Sequence, residues 1–521
     1  MEPDKISTES SNKPKILLIY PAPISCIPPG ITFVAKRFAA NGFDVKVHIN
    51  TFRRYLDARR LFTEVVSEYH PDIVGLSFGT YNVLEVYALQ QSCAQNGYFV
   101  LAGGPHPSTQ PEECLRNGAD MVIRGEAEYG IDDLCRWWVN GRDPSARGGI
   151  RGASYLDAAG FAVDNEQPRR ISNLDEVGET DFSFLDMEQF RAADGSIKGL
   201  DMIASGRGCP FGCTYCSHSA WRTWGKRTVD SLINEMVGRY ERYGLKNFWM
   251  SDDTFTIDKD RVYEFCARLK KENLPINWMS STRVTQVDEP LLRAMRDSGL
   301  KQITYGVESS NDDTLKRINK GYTGQYALDT VLKTGKLGIP MYINLMTGFP
   351  WETPDHVNND IRFIKAVESY VYCFQLYGAV IPYPDTGIYT EFHQQYAFTG
   401  WWLKEQFQNA GMVIYQNVAN PYTVSTYYQR NLYDDTYITE DYFFTYTEAY
   451  KKAVARMGRV IGWKSICAQT PSNLRRAAKY ALGVASQTLY GISPHLEKKV
   501  VGAFKKKNIL HEKRLSARFV E

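Results

Sequence analysis

The sequence predicts an α/β protein: a doubly wound, Rossmann-like parallel sheet, then a partial (β/α)6 barrel, then a mostly helical C-terminal domain. Three observations carry that expectation. Short apolar runs alternate with helix-like stretches in two successive series, one from Lys15 and one from Asp201; such alternation builds parallel sheets covered by helices. The second series holds six strand candidates, short of the eight that close a full barrel. Past residue 400 the alternation gives way to an aromatic-rich, helical pattern.

Composition narrows the class. The 521 residues are enough for more than one domain. With 43% hydrophobic and 23% charged residues the chain reads as an ordinary soluble globular protein. A net charge of +2 gives no reason to expect a specific nucleic-acid partner. No apolar run reaches membrane-spanning length, so no transmembrane segment is expected. Residues 1–13 are polar and lack the apolar stretch of a secretory signal, which predicts a disordered start and a cytoplasmic protein.

In the first series the strand candidates are 15–20, 43–49, 72–78, 98–104 and 119–125, with helices at 31–42, near 58–69 and near 81–96. Doubly wound sheets bind ligands beyond the carboxyl ends of their strands. Three of those ends are rich in small residues: Ser77-Phe78-Gly79-Thr80, Gly103-Gly104-Pro105-His106 and Gly125-Glu126-Ala127-Glu128. Glycine there lets backbone approach a ligand closely, although plain turn chemistry would use the same residues. Residues 142–200 have weaker periodicity and read as a linker, with a hairpin at 154–164.

The second series has strand candidates at 201–205, 246–252, 276–282, 302–308, 341–348 and 374–380, with helices at 228–243, 259–272, 289–298 and 355–367 between them. Barrel chemistry sits at the carboxyl ends of the strands. The expected division is therefore 14–141, linker 142–200, barrel 201–385 and C-terminal helical domain 386–521. The basic end, 505–514, reads as a solvated helix. Tyr383, Trp401, Trp402 and Tyr427 suit either an apolar pocket or a core.

Ten cysteines are present, and seven are scattered: Cys26, Cys93, Cys114, Cys135, Cys266, Cys373 and Cys467. Buried structural thiols are expected for these. The other three sit in "SGRGCPFGCTYCSHSA" as Cys209, Cys213 and Cys216. Soft thiolates select zinc, copper(I) or iron–sulfur. Structural zinc wants four closed ligands, and His218 stands too near Cys216 for usual finger spacing. An iron–sulfur cube held by three cysteines leaves one iron open to a chelating small molecule. Gly206, Gly208 and Gly212 keep the loop tight, so that backbone N–H groups can reach the sulfurs.

The CxxxCxxC spacing, with Tyr215 before the last cysteine and a strand before the loop, resembles the radical S-adenosylmethionine (AdoMet) superfamily. That resemblance implies a 4Fe–4S cluster on Cys209, Cys213 and Cys216, with AdoMet chelated to the open iron. It also implies reductive cleavage to a 5′-deoxyadenosyl radical that abstracts a substrate hydrogen. Ser251, Asp252 and Asp253 of "SDDTF" resemble the family's second-strand AdoMet motif, though not in its common Gly-Gly-Glu form. By the same resemblance Arg283 would meet the AdoMet carboxylate, Glu308 would face the site, and Gly348 of "LMTGFPWET" would lie near adenine. Asp252 and Glu308 would serve equally well as helix caps.

Residues 71–80, 101–113 and 120–128 resemble the cobalamin-binding domain attached to one large class of radical AdoMet enzymes. The resemblance implies cobalamin contacts at Ser77, Gly79, Thr80, Gly103, Gly104, Pro105, His106, Gly125 and Glu126. The Asp-x-His-x-x-Gly motif that ligates cobalt elsewhere is missing, and His106 reads as shaping its turn. This class most often methylates an unactivated carbon or a phosphinate phosphorus. One AdoMet methylates reduced cobalamin and another supplies the radical. The expected partners are a small-molecule substrate and a flavodoxin or ferredoxin as electron donor. Two other readings stand beside C-methylation: a radical cyclase, ring contractase or other rearrangement enzyme, and a non-enzymatic metal- or cluster-binding protein. A transfer-RNA methylthiotransferase would want a second cysteine triad, for which Cys26, Cys93, Cys114 and Cys135 are too dispersed.

Overall fold

The computed structural model describes residues 13–24, 27–51, 58–167, 170–190, 201–217, 222–404 and 444–467. Cys26, His218, Tyr427 and the basic stretch 505–514 lie outside them, as does most of the C-terminal region.

The first strand, β1 (Lys15–Ile24), opens with Ile16, Leu17, Leu18 and Ile19, all buried. A continuous apolar run is what a parallel strand covered on both faces requires. β2 (Asp44–Thr51), β3 (Ile73–Ser77), β4 (Phe99–Gly103) and β5 (Met121–Ile123) follow in register with it. β6 (Ala153–Leu156) and β7 (Ala162–Asp164) complete a seven-stranded sheet ordered β2-β1-β3-β4-β5-β6-β7. The order reverses at β1 and β3, and such switch points open a ligand crevice. The hairpin expected within a linker is instead the edge of this sheet. β6 runs antiparallel to β5, and the β5 edge would otherwise carry unpaired backbone groups.

Two two-residue strands, β8 (Met202–Ile203) and β9 (Gly206–Arg207), lead into the cysteine loop. β10 (Gly225–Lys226) leaves the loop and pairs antiparallel with β9. The remaining strands are β11 (Asn247–Met250), β12 (Asn277–Thr282), β13 (Leu300–Glu308), β14 (Met341–Thr347) and β15 (Val371–Ala379). They form a six-stranded sheet ordered β15-β14-β13-β12-β11-β8, as a partial barrel demands.

The connecting helices are set by their ends. Thr228 caps Val229–Tyr243 by accepting the Ser231 amide, and Gly244 closes it in the left-handed conformation. Asp258 caps Lys259–Glu272 in the same manner. Trp278 on β12 packs against Phe255 and Phe265, which fixes the outward face of that strand. Burial in β12 and β14 alternates strictly, so the opposite, half-buried positions line the inner face.

Contacts gather the chain into two compact units. The first takes Met1–Thr282, Arg293–Lys301 and Pro382–Pro421, and the second takes Arg283–Leu292, Gln302–Ile381 and Tyr422–Glu521. Among the described residues of the C-terminal region, Gly387–Phe392 and Glu448–Cys467 are α-helical.

Candidate functional site

In the first unit, Asp252 follows β11 and is 4% exposed. Its carboxylate accepts the Ser205 amide at 2.9 Å and the Ser205 hydroxyl at 2.7 Å. Arg261 donates to the Ser205 carbonyl at 2.9 Å. Burial pushes the Asp252 carboxyl up, and the Arg261 charge opposes that rise. A side chain so engaged holds the base of the cysteine loop. Ser251 bonds the Ile203 carbonyl, and Asp253 is exposed.

The loop carries Cys213 buried and Cys209 and Cys216 half-buried. A Cβ on Gly208 (φ +82°) would stand 2.2 Å from the Thr223 carbonyl, so only glycine admits this path. The Phe211 amide bonds the Cys209 sulfur, and the Thr254 hydroxyl lies 3.8 Å from it. Burial pushes the Cys209 thiol up. Among the described residues, no three Cys, His, Asp or Glu side chains gather closely enough to hold a single ion. The CxxxCxxC loop would hold a 4Fe–4S cluster through its three thiols, with the Phe211 amide and Thr254 hydroxyl placed near the Cys209 sulfur.

The glycine-rich carboxyl ends of the first sheet lie in the same unit. Gly104 (φ +97°) passes so close to β3 that a Cβ would meet Phe78 N and O and Ser77 Oγ at 3.0 Å. Ser108 donates to the Gly104 carbonyl and accepts the Gly125 amide, stitching two of these ends together. His106 is 0% exposed with no ligand present. Its Nδ1 lies 3.1 Å from Thr80 Oγ1, and its Nε2 lies 3.0 Å from Tyr87 Oη and 3.2 Å from Glu113. These bonds tie the turn after β4 to the end of β3 and to the helix behind it, in keeping with the turn-shaping reading of His106. Thr80, 7% exposed, is committed to it. Glu126 is likewise spent: it accepts the Ile171 amide at 2.9 Å and pairs with Arg170 at 3.2 Å.

The second unit holds the other expected AdoMet residues. Glu308 ends β13 with φ 66°, at a shift in register. Its carboxylate folds back to Lys320 Nζ at 3.2 Å, across Gly306, where a Cβ would collide with it at 2.7 Å. Arg283 donates to the Lys320 carbonyl. Glu308 is thus paired with Lys320 at the end of its strand. Gly348 is also occupied: its N–H donates to Glu352 at 2.9 Å and lies 2.7 Å from Tyr450 Oη, while Tyr446 donates to its carbonyl. Burial pushes the Glu352 carboxyl up to about 8.

The sequence reading missed Arg207, Ser108, Glu113, Lys320, Glu352, Tyr446 and Tyr450. One signal was available: Arg207 stands two residues before the first cysteine, and "GEAE" offers it two acids. The tyrosines are far away in sequence and carry no motif. A cavity of about 770 Å³ lies at the amino ends of β3 and β4, lined by Asp72, Tyr98, Asp120 and Trp138. That is the end of the sheet opposite the glycine-rich edges.

These features define a radical SAM enzyme with an attached cobalamin-binding domain, and the comparisons agree. Residues 203–364 match the radical SAM superfamily, and residues 18–134 match the B12 binding domain. The chain belongs to this family. It is 32% identical to the uncharacterized methyltransferase PH0819 of Pyrococcus horikoshii, over 72% of this chain and 82% of that protein. It is 24% identical to the bacteriochlorophyllide d C-12(1)-methyltransferase of Chlorobaculum tepidum, over 76% and 82%. It is also 24% identical to the anaerobic magnesium-protoporphyrin IX monomethyl ester cyclase of Rubrivivax gelatinosus, over 65% and 62%. The structure resembles the radical SAM methyltransferase TsrM of Kitasatospora setae, with TM-score 0.60, 19% identity, and 74% and 78% coverage. It also resembles the cobalamin-dependent enzyme OxsB, with TM-score 0.63, 16% identity, and 95% and 75% coverage. At such identities the two structures speak for the fold alone. Membership brings a 4Fe–4S cluster, AdoMet and cobalamin as cofactors. The three-cysteine loop and the glycine-rich carboxyl ends of the first sheet, whose backbone is free of side chains at Gly79, Gly103 and Gly125, fit them. No described helix is long and apolar enough to cross a membrane.

Proposed function

We propose that this enzyme methylates an unactivated carbon of a small-molecule substrate. When bound, the cluster and AdoMet supply a hydrogen-abstracting radical and cobalamin supplies a transferable methyl group. The observation that carries the reading is that the cysteine loop meets the last glycine-rich edge of the cobalamin-binding domain directly, through Arg207 and Glu128 at 2.7 Å. A methyl transfer between two cofactors needs both at one cavity. The methyltransferase relative at 32% identity supports the same reading.

In this proposal Cys209, Cys213 and Cys216 hold the iron, with Tyr215 beside them. Ser251 and Asp253 of the first unit, and Arg283 and Gly348 of the second, would contact AdoMet, while Asp252 and Glu308 each brace the strand end of their own unit. Ser77, Gly79, Gly103, Gly104, Pro105 and Gly125 form the cobalamin edge, and Thr80, His106 and Glu126 brace it. The division at 14–141, 142–200, 201–385 and 386–521, a flavodoxin or ferredoxin donor and a cytoplasmic setting belong to the proposal. The cyclase relative favours a second reading, oxidative rearrangement without methyl transfer. Product analysis separates them. Methylation yields S-adenosylhomocysteine alongside 5′-deoxyadenosine, and 5′-deoxyadenosine alone would sink methyl transfer.

A further inference from the structure

Arg207 sits two residues before the first cluster cysteine, on the short strand β9. Its guanidinium does not turn toward the loop it precedes. It lies 2.7 Å from Glu128 and 3.6 Å from Glu126, and stacks over the Phe33 ring at 4.9 Å. Glu126 lies in the turn after β5 and Glu128 opens the helix that follows it, Glu128–Val139, at the carboxyl end of the first sheet; Phe33 belongs to that sheet's first helix. Glu126 also takes Arg170, whose Nη1 is 3.0 Å from where a Gly208 Cβ would stand. The side chains of Arg207, Glu126 and Glu128 are 19%, 5% and 7% exposed, so this is a largely buried cluster of two acids and two arginines. Planar guanidinium suits such a role: it binds two carboxylates in fixed directions and stacks on an aromatic face at once.

We propose that Arg207 is a positioning residue. Clasped by Glu126 and Glu128, it fixes the cysteine loop against the cofactor end of the first sheet and so sets the spacing between the two cofactors. The idea rests on the two-cofactor reading above and goes beyond it by assigning the spacing to one salt-bridge cluster. Removing one member of a buried pair leaves its partners uncompensated, so the effect propagates to both sides. Lysine would keep the charge and lose the fork and the stacking.

The test uses the full chain with its cluster reconstituted, as wild type, R207K, R207A and E128Q. Hydrogen exchange is read on peptides covering 121–131 and 208–217. R207A and E128Q are expected to speed exchange in both peptides by about tenfold, with R207K intermediate. In cobalamin-loaded protein the second readout is the enhancement of cob(II)alamin electron-spin relaxation by the reduced cluster, which depends steeply on their separation. It is expected to change in R207A and E128Q while iron and cobalt contents stay at wild-type values. If R207A does not fold or load, E128Q decides. Faster exchange confined to 208–217, or unchanged relaxation in E128Q, overturns the proposal. A wild type that retains no cobalt overturns the two-cofactor reading instead, and the paired exchange then decides the role of Arg207 alone.

Discussion

Gly103 and Gly104 are neighbours with different duties. A Cβ on Gly103 would meet only the Ile123 carbonyl, at 3.6 Å, an ordinary contact. A Cβ on Gly104 would press on Phe78 N and O and Ser77 Oγ at 3.0 Å, from a left-handed backbone. G104A, at φ 97° and ψ −171°, is therefore expected to cost about 1–3 kcal/mol in backbone strain alone and to weaken cobalamin retention, while G103A is mild. Thermal melts and cobalt content of the two variants check this, and equal effects would contradict the contact. Glu352 gives a pH dependence. Its folded carboxyl, raised to about 8 by burial, binds a proton that the unfolded chain releases at its ordinary value. Stability from this group is full in acid and is lost as pH rises from the unfolded value through about 8. Its Oε2 receives the Gly348 amide and the Tyr450 hydroxyl, so the loss falls on the anchoring of the helix Glu448–Cys467. Melting temperature followed from pH 6 to 9, a window spanning the raised value, should fall less in E352Q than in wild type.

At the scale of elements, the segment after β15 touches both halves of the first unit. Ile388 donates to the Thr214 carbonyl inside the cysteine loop at 3.1 Å. A Cβ on Gly387 would stand 3.1 Å from Thr214 Cβ and 3.2 Å from its carbonyl. Trp402 donates to Glu113, which also receives Tyr87. G387A is thus expected to displace Thr214 and alter the reduced cluster's electron paramagnetic resonance spectrum; an unaltered spectrum with full iron content would refute the contact. Legibility in the sequence follows the same division. Strands such as β1 and β14 and the helix Lys259–Glu272 were readable because apolar spacing and local caps define them. The cysteine triad was readable because its chemistry is local. The β6–β7 hairpin was not placed in the sheet, since edge pairing depends on a partner distant in the chain. The neighbours of Asp252, Glu126 and Glu308 were not readable for the same reason. Their partners, Ser205, Arg170 and Lys320, carry no motif, and a carboxylate at a strand end looks alike whether it meets a ligand or a neighbour.

At the scale of the whole molecule, the two cofactor assignments differ in how they were earned. The cluster follows from the spacing of three cysteines in one loop and from the radical SAM match over residues 203–364. Cobalamin follows from family membership and a glycine-built edge, because His106 is sealed inside and no motif histidine is offered to cobalt. Methyl transfer by this protein requires both cofactors to be held by one chain. The most direct measurement is cobalt and iron per chain after anaerobic reconstitution with iron, sulfide and hydroxocobalamin, followed by desalting. Near-stoichiometric cobalt retained beside an iron–sulfur absorbance is the predicted result. An iron–sulfur protein that washes free of cobalt would contradict the account and leave the first domain with another purpose.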